Sequence, residues 1–472
     1  MSTVFIKALK ALVDPNCLIE DRGVAGPMLV DERDQFSGKA LAIVAPNTVA
    51  QLAAVVKLCW KNNIPVVPQG GNTGYCGGAT PDSSGTQLLL SLKKLNKLRD
   101  VDVDGHTMTV EAGMILSDVQ LAASENNLLF PLSMGSEGSC QIGGNLSTNA
   151  GGLAVLRYGT ARELVLGLEV VTPQGDVLSE LKTLRKDTAG YDLKQLYIGA
   201  EGTLGVITAA SLKLFPLPPV RLVCWVAVPE INGLAILLRA LQSQIGDAVS
   251  SFEYVSNASL ALVLEHMDGT RNPLSGGYQH HALIELSGFG EQTRFQEQCT
   301  DALATAQTND LILDAVLASS HTQAQAFWYL RESIPRAEKH IGGSIKHDVS
   351  VPISKIGALI VEASAAIVKL DPHARLSVYG HVGDGNVHFN VLPPSGVSLP
   401  VYKQQLGREI STAVHGAAAE FNGSFSAEHG VGQLKTGDLE NYSSALRLSL
   451  MKDIKSALDP RGLMNPGKVL HR

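Results

Sequence analysis

The sequence predicts an α+β protein of more than one domain. Three observations carry that reading. Residues 41–68 read as strand, helix and strand, and run into a glycine-rich turn. A proline-dense stretch, FPLPPV at Phe215–Val220, interrupts the chain near its middle. Beyond it, apolar strands alternate with amphipathic helices to about residue 440. A chain of 472 residues exceeds what one hydrophobic core serves, so two or three domains are expected.

The first strand is the apolar LAIVAP. The helix NTVAQLAAVVKLCWKNN follows, with Asn47 or Thr48 as its cap and apolar residues at helical spacing. IPVVPQ is the second strand and delivers the chain to GGNTGYCGG. Such a turn presents backbone N–H groups to phosphates, yet it is neither a G-x-G-x-x-G fingerprint nor a P-loop. A second tract, MGSEGSCQIGGNLSTNAGG (Met134–Gly152), has no apolar period, so neither an amphipathic helix nor a useful strand is expected there. LVLGLEVVTPQGDVL (Leu164–Leu178) reads as two strands around a Pro173-Gln174-Gly175 turn. A third glycine-bearing piece is IGAEGTLGVITAASLKLFP (Ile198–Pro216). Tight turns alone demand glycine; three tracts also rich in Ser, Thr and Asn point to a long ligand lying against backbone.

In the second half, VCWVAV and ALIEL read as strands and ISKIGALIVEASAAIVKL as an amphipathic helix. SALDPRGLMNPGKVL (Ser456–Leu470) reads as a helix end followed by a Pro/Gly-rich tail that can return to the first domain.

Composition excludes several classes. The formal net charge is −7 without a Lys/Arg block, which argues against a nucleic-acid partner. The six cysteines are scattered with no C-x-x-C, so free thiols in a cytoplasmic chain are expected, not a zinc ribbon or a thioredoxin-like pair. No apolar run is long enough to span a membrane. MSTVFIKALKALVDP is too short and interrupted for a signal peptide.

The chemistry concentrates late in the chain. YGHVGDGNVHFNV (Tyr379–Val391) reads as a hairpin turning on Asp384-Gly385. In that register His381 faces His388, and Tyr379, His381, His388 and Asn390 share one face. Directly opposed residues have Cβ atoms about 4.5–5.5 Å apart, close enough for two imidazoles to share a metal. Two half-exposed strand histidines making ordinary hydrogen bonds is the alternative. SAEHGVG (Ser426–Gly432) adds Glu428, an oxygen ligand, with His429 beside it. His381, His388 and Glu428 make three protein ligands with an open position, the layout of a catalytic divalent site, typically zinc. His429 then stands as a general base next to the metal; a surface loop pair is the bland alternative. Arg331 in FWYLRESIP and Lys346 in GSIKHDVSVP are two cations that suit carboxylates, Arg as a bidentate fork and Lys as a point charge.

The ordered set PQGGNTG, GSCQIGGN-STNAGG, GAEGTLGVIT, GHVGDGNVHFN, AEHG-G and DP-GLMNPGK resembles the D-2-hydroxyglutarate dehydrogenases, FAD flavoproteins of the vanillyl-alcohol-oxidase type. The resemblance runs from about residue 30 to the end. It implies a two-subdomain FAD-binding domain over residues 1–218, an α+β substrate (cap) domain over 219–450, and a tail over 451–472 packing back on the FAD domain. Pro68, Gln69, Gly70, Gly71, Asn72, Thr73 and Gly74, with Gly143 and Gly144, would hold the pyrophosphate. Gly135, Ser136, Ser147, Thr148 and Gly151 belong to the same cofactor tract. Glu201, Gly202 and Ile207 would line the adenosine or flavin, and Asn465 would return near the flavin. The loop PQGGNTG has no histidine to tether the cofactor, so non-covalent FAD is implied.

The same resemblance implies Zn2+, or another divalent metal, on His381, His388 and Glu428, with His429 as the catalytic base. Arg331, Lys346, Asn390 and His429 would bind substrate. Some relatives carry a hydroxyl residue four positions after the arginine; here that position is Pro335. The implied reaction oxidises D-2-hydroxyglutarate, or D-malate, to the 2-oxo acid, with hydride passing from C2 to flavin N5. The implied electron acceptor is an electron-transfer flavoprotein or a quinone, since no NAD fingerprint occurs. A homodimer is a further expectation, as is a cytoplasmic location, or the mitochondrial matrix if a transit peptide has been removed. D-lactate or glycolate dehydrogenation, an oxidase using O₂, and a non-catalytic electron-relay subunit are the competing readings.

Overall fold

The computed structural model describes residues 2–471 and divides into two units. The first comprises the chain up to Gly151, Gly159–Leu217 and everything from Glu428 onward. The second comprises Gly152–Tyr158 and Pro218–Ala427. The proline-dense stretch thus coincides with a crossing between units, at Leu217/Pro218. The chain rejoins the first unit at Glu428, earlier than the expected residue 451.

The first unit holds two main sheets. A parallel three-stranded sheet orders Ala42–Val44, Leu88–Ser91 and Val66–Gln69. Its strands read as apolar runs because both faces are covered, and Val44, Val67 and Leu88–Leu90 are fully buried. The intervening helix Val49–Asn62 starts where the Thr48 hydroxyl accepts from Gln51 N–H, and ends at Asn63 in the left-handed region (φ 56°). A five-stranded antiparallel sheet orders Leu98–Asp102, Thr107–Glu111, Val206–Lys213, Val165–Val171 and Val177–Glu180. The tract read as irregular contains a six-residue helix, Ile142–Ser147. It forms there because glycine permits close approach: a Cβ on Gly143 would stand 2.8 Å from the Ala112 Cβ and 3.1 Å from its carbonyl oxygen.

The C-terminal tail is pinned within this unit. Val66 N–H donates to Leu463 O (2.9 Å) and Asn465 N–H to Val66 O (2.8 Å). The Asp459 carboxylate caps the turn by accepting from Leu463 and Met464 N–H. The Arg461 guanidinium lies 4.4 Å over the Trp60 ring.

The second unit is a seven-stranded antiparallel sheet, ordered Asp314–Leu317, Val220–Val228, His280–Gly288, Val249–Ser256, Arg375–His381, Asn386–Leu392 and Asp348–Ser350. One face buries Cys224, Phe252, Ile284, Val378 and Phe389 under helices such as Ile356–Leu370 and Leu399–Glu420. The other buries Trp225, Leu283, Val255 and Tyr379 under the helices Asn257–His266 and His321–His340.

The histidine hairpin has the expected faces and a different register. Val382 and Val387 join the first of these cores, while Tyr379 joins the second. Tyr379, not His381, pairs with His388, and His381 pairs with Glu253 on the neighbouring strand. A 3₁₀ turn at Val382–Asp384 lengthens the loop, and Gly385 follows it at φ 86°. A Cβ on Gly385 would lie 2.1 Å from Val351 O, so only glycine passes there. The slip is two residues, an even number, so each side chain keeps its face.

Candidate active site

The helix His321–His340 begins where the Ser320 hydroxyl accepts from Gln323 N–H (3.2 Å). Arg331 and Glu338, seven residues apart, stand two turns along one face of it. That face meets the sheet side carrying Glu253, Tyr379, His381, His388 and Asn390.

Arg331 is buried (6% exposed) and is committed to protein partners. Its Nε and Nη2 both donate to Glu253 Oε2 at 2.8 Å, and its guanidinium lies 4.6 Å over the Tyr379 ring. The other Glu253 oxygen is 2.6 Å from His381 Nδ1. A carboxylate only accepts, so His381 donates through Nδ1 and would offer Nε2 to a metal. Burial alone would push the Glu253 carboxyl up; His381 and Arg331 together outweigh it and hold it down at about 2.

Glu338 is fully buried and accepts from three side chains. Lys346 Nζ and Ser344 Oγ both reach Oε2, the hydroxyl at 2.8 Å. Asn390 Nδ2 donates to Oε1 at 2.9 Å and stands 3.2 Å from Oε2. Asn390 is also held at its other end, where Oδ1 accepts from His347 N–H (3.3 Å). Lys346 is half-buried. Both predicted substrate cations are therefore neutralised inside this unit, Arg331 by Glu253 and Lys346 by Glu338.

The rings of His381 and His388 have centroids 5.4 Å apart. Asp348, the strand partner of His388, has Oδ1 3.8 Å from His388 Nδ1 and accepts from Asn386 Nδ2 at 2.8 Å. Ala427 N–H donates to Asp348 O (3.1 Å), and Glu428 is the next residue along the chain. In the other unit, His429 packs edge-on against the Tyr75 ring, with centroids 4.9 Å apart.

The predicted cofactor tracts meet within the first unit. A Cβ on Gly71 would lie 2.3 Å from Ser139 O, and one on Gly70 would be 3.4 Å from Gly144 N. A Cβ on Gly74, Gly135 or Gly144 would meet nothing within 4 Å, so backbone lies open at these points. That is the cradle a pyrophosphate-bearing cofactor needs. Several predicted side chains face inward instead. Gln69 Nε2 donates to Met28 O and Ala79 O, and Asn72 Nδ2 to Val30 O. Ser147 and Thr148 hydroxyls return to Gly143 O and Gly144 O. Glu201, at φ 51°, accepts from Val431 N–H (2.7 Å) and Gly432 N–H (2.8 Å). Asn465 Nδ2 ties Gly78 O to Glu201 O. Ile207 is buried in the Val206–Lys213 strand. These side chains bond within the protein, and the open backbone lies at Gly74, Gly135 and Gly144.

Sequence reasoning missed Glu253, Glu338 and Asp348. Two had a signal: Glu253 is the one charge in the strand SSFEYVS, and Glu338 repeats the Arg331 face two turns on.

Comparison with known proteins agrees with this architecture. Residues 40–179 match the family model of the FAD binding domain, and residues 217–469 that of the FAD linked oxidases, C-terminal domain. The class is thus a flavin-linked oxidoreductase. D-2-hydroxyglutarate dehydrogenase of Xanthomonas citri pv. viticola is 38% identical over 92% of this chain and 90% of its own. The mitochondrial D-2-hydroxyglutarate dehydrogenase of Arabidopsis thaliana is 35% identical over 98% of this chain and 81% of its own. p-Cresol methylhydroxylase shares the fold, with a TM-score of 0.74 at 18% identity over 99% of this chain and 97% of that one. The chain belongs to the FAD-dependent D-2-hydroxy-acid dehydrogenases of the vanillyl-alcohol-oxidase type.

Proposed function

We propose that the protein oxidises D-2-hydroxyglutarate to 2-oxoglutarate, with a divalent metal, zinc first, on His381, His388 and Glu428. The carrying observation is the chain His381–Glu253–Arg331, which joins a carboxylate-oriented histidine to a buried guanidinium. The relatives' printed names support the substrate. The donor set supports the metal: two close imidazoles have carboxylates at their Nδ1 atoms, and a glutamate follows one residue after a strand-bonded amide.

The glycine cradle around Gly70, Gly71, Gly74 and Gly144 would hold FAD non-covalently, and FAD would supply the hydride acceptor. His381, His388 and Glu428 would hold the metal, which would supply Lewis acidity. The chain's own residues do the rest. His429 takes the C2 hydroxyl proton. Arg331 and Lys346 orient the distal carboxylate through N–H groups left after their glutamate bonds, and the buried Asn390 binds substrate beside them. Electrons leave to a flavoprotein or quinone acceptor.

Neutralisation of both cations favours a second reading, a monoacid such as D-lactate, because neither Arg331 nor Lys346 is left without a counter-charge to demand a second carboxylate. Anaerobic mixing with D-2-hydroxyglutarate, D-malate and D-lactate separates the two. Flavin bleaching fastest with D-2-hydroxyglutarate, lost after EDTA and restored by zinc, is expected. Fastest bleaching by D-lactate would overturn the substrate, and bleaching that survives full metal removal would overturn the metal.

A further inference from the structure

We infer that Glu338 is a positioning residue that makes the substrate site selective for a second carboxylate, acting through Lys346. The inference rests on the proposed role of Lys346 in substrate binding. A lysine is a point charge on a four-carbon stem with wide rotamer freedom. Left alone it would meet a ligand at an entropic cost and accept many anion positions. Here the ammonium is held on Glu338 Oε2, which Ser344 Oγ shares at 2.8 Å. The carboxylate is itself fully buried and bound to Asn390 Nδ2. Lys346 N–H groups not directed at Glu338 thus have set directions before any ligand arrives.

Charge balance sharpens the point. Lys346 and Glu338 cancel, so the site offers directed donors in place of net positive charge. A ligand group is then chosen by where its acceptors lie. A distal carboxylate at the right reach gains from those N–H groups, while an apolar end of equal length leaves them without an acceptor. The ammonium and Asn390 also share this one carboxylate, so both predicted substrate contacts depend on its placement.

A double-mutant cycle on the FAD-loaded protein tests this: wild type, Glu338→Gln, Lys346→Met, and both together. The dissociation constants of 2-oxoglutarate and of 2-oxovalerate, its equal-length monoacid counterpart, are measured for each, with a melting curve to verify folding. Expected is a roughly tenfold loss of preference for 2-oxoglutarate in Glu338→Gln, with KM for D-2-hydroxyglutarate rising more than kcat falls. The double variant should show the same preference as Lys346→Met alone. Equal weakening of both ligands by Glu338→Gln, or additive effects in the double variant, would reduce Glu338 to structural glue and overturn the inference. Should Lys346→Met itself fail to discriminate, the Lys346 reading falls and this inference with it. The double variant also guards against Lys346→Met failing to fold, because it leaves no buried carboxylate behind.

Discussion

Arg331 and Glu338 occupy one face of a single helix, two turns apart, and each is bound to an opposite charge from another part of the same unit: Glu253 and Lys346. The unit therefore sets out a row of paired groups: His381 on Glu253, Glu253 on Arg331 and, two turns on, Glu338 on the half-buried Lys346. Buried ions are tolerated only when paired and hydrogen-bonded. A row of this kind fixes geometry more than it adds stability, as a site with demanding orientation requires.

Glu253 is the member whose loss should cost most. Glu253→Gln keeps the shape but leaves the buried Arg331 guanidinium without its counter-charge, at a cost of about 3–5 kcal/mol. It also removes the carboxylate that orients His381, which should weaken metal binding by roughly 10–100-fold. Thermal unfolding and zinc titration check the two effects separately. Unchanged zinc affinity in a folded variant would mean that His381 is not a ligand.

Metal binding should register as stability. A ligand held only by the folded state at 100 times its Kd stabilises by about 2.7 kcal/mol. Chelation should lower the melting temperature and zinc should restore it. In His381→Ala/His388→Ala the zinc-dependent increment should vanish, whatever the starting stability. An increment kept in that variant would place the metal elsewhere.

The cofactor cradle should fail on addition of one methyl group. Gly71→Ala places a Cβ 2.3 Å from Ser139 O, a backbone atom that cannot step aside cheaply. The purified variant should carry less flavin, read as the ratio of visible to 280 nm absorbance. Gly74→Ala, where a Cβ meets nothing within 4 Å, should not disturb the apo fold, so any flavin loss there reports contact with the cofactor.

The second unit should lose stability in acid through His281. Trp225 Nε1 donates to His281 Nδ1 (3.2 Å), which requires a neutral ring, and burial pushes the imidazole from 6.5 down to about 4. The unfolded chain therefore binds the proton more readily than the folded one. The contribution is complete above about pH 6.5 and is lost as pH falls toward 4, amounting to about 3 kcal/mol. Denaturant unfolding across that range should show a flatter pH dependence in His281→Gln than in wild type. Parallel profiles would exclude His281 as the source.

The residues of the candidate site were legible to different depths. The hairpin faces, the Thr48 cap, the glycine tracts and the proline-dense boundary all follow from local rules, because periodicity, capping and backbone freedom act within a few residues. Period two kept Tyr379, His381, His388 and Asn390 on one face even though the register slipped by two. The slip itself was not local. It depends on the 3₁₀ turn and on Gly385 after it, which passes close to Val351 just beyond the strand Asp348–Ser350. The short helix Ile142–Ser147 likewise depends on contact with Ala112, which no period in its own sequence announces.

Sequence alone thus determined which residue types could do chemistry and which faces the hairpin residues share, while Glu428 and His429, expected in the second domain, fall in the first unit. Tertiary structure decided their partners. Glu253 lies 78 residues from Arg331 and 128 from His381, and Asn390 lies 52 from Glu338. A buried charge must find its counter-charge in space, where the low dielectric makes an unpaired ion intolerable, and separation along the chain has no bearing on that search.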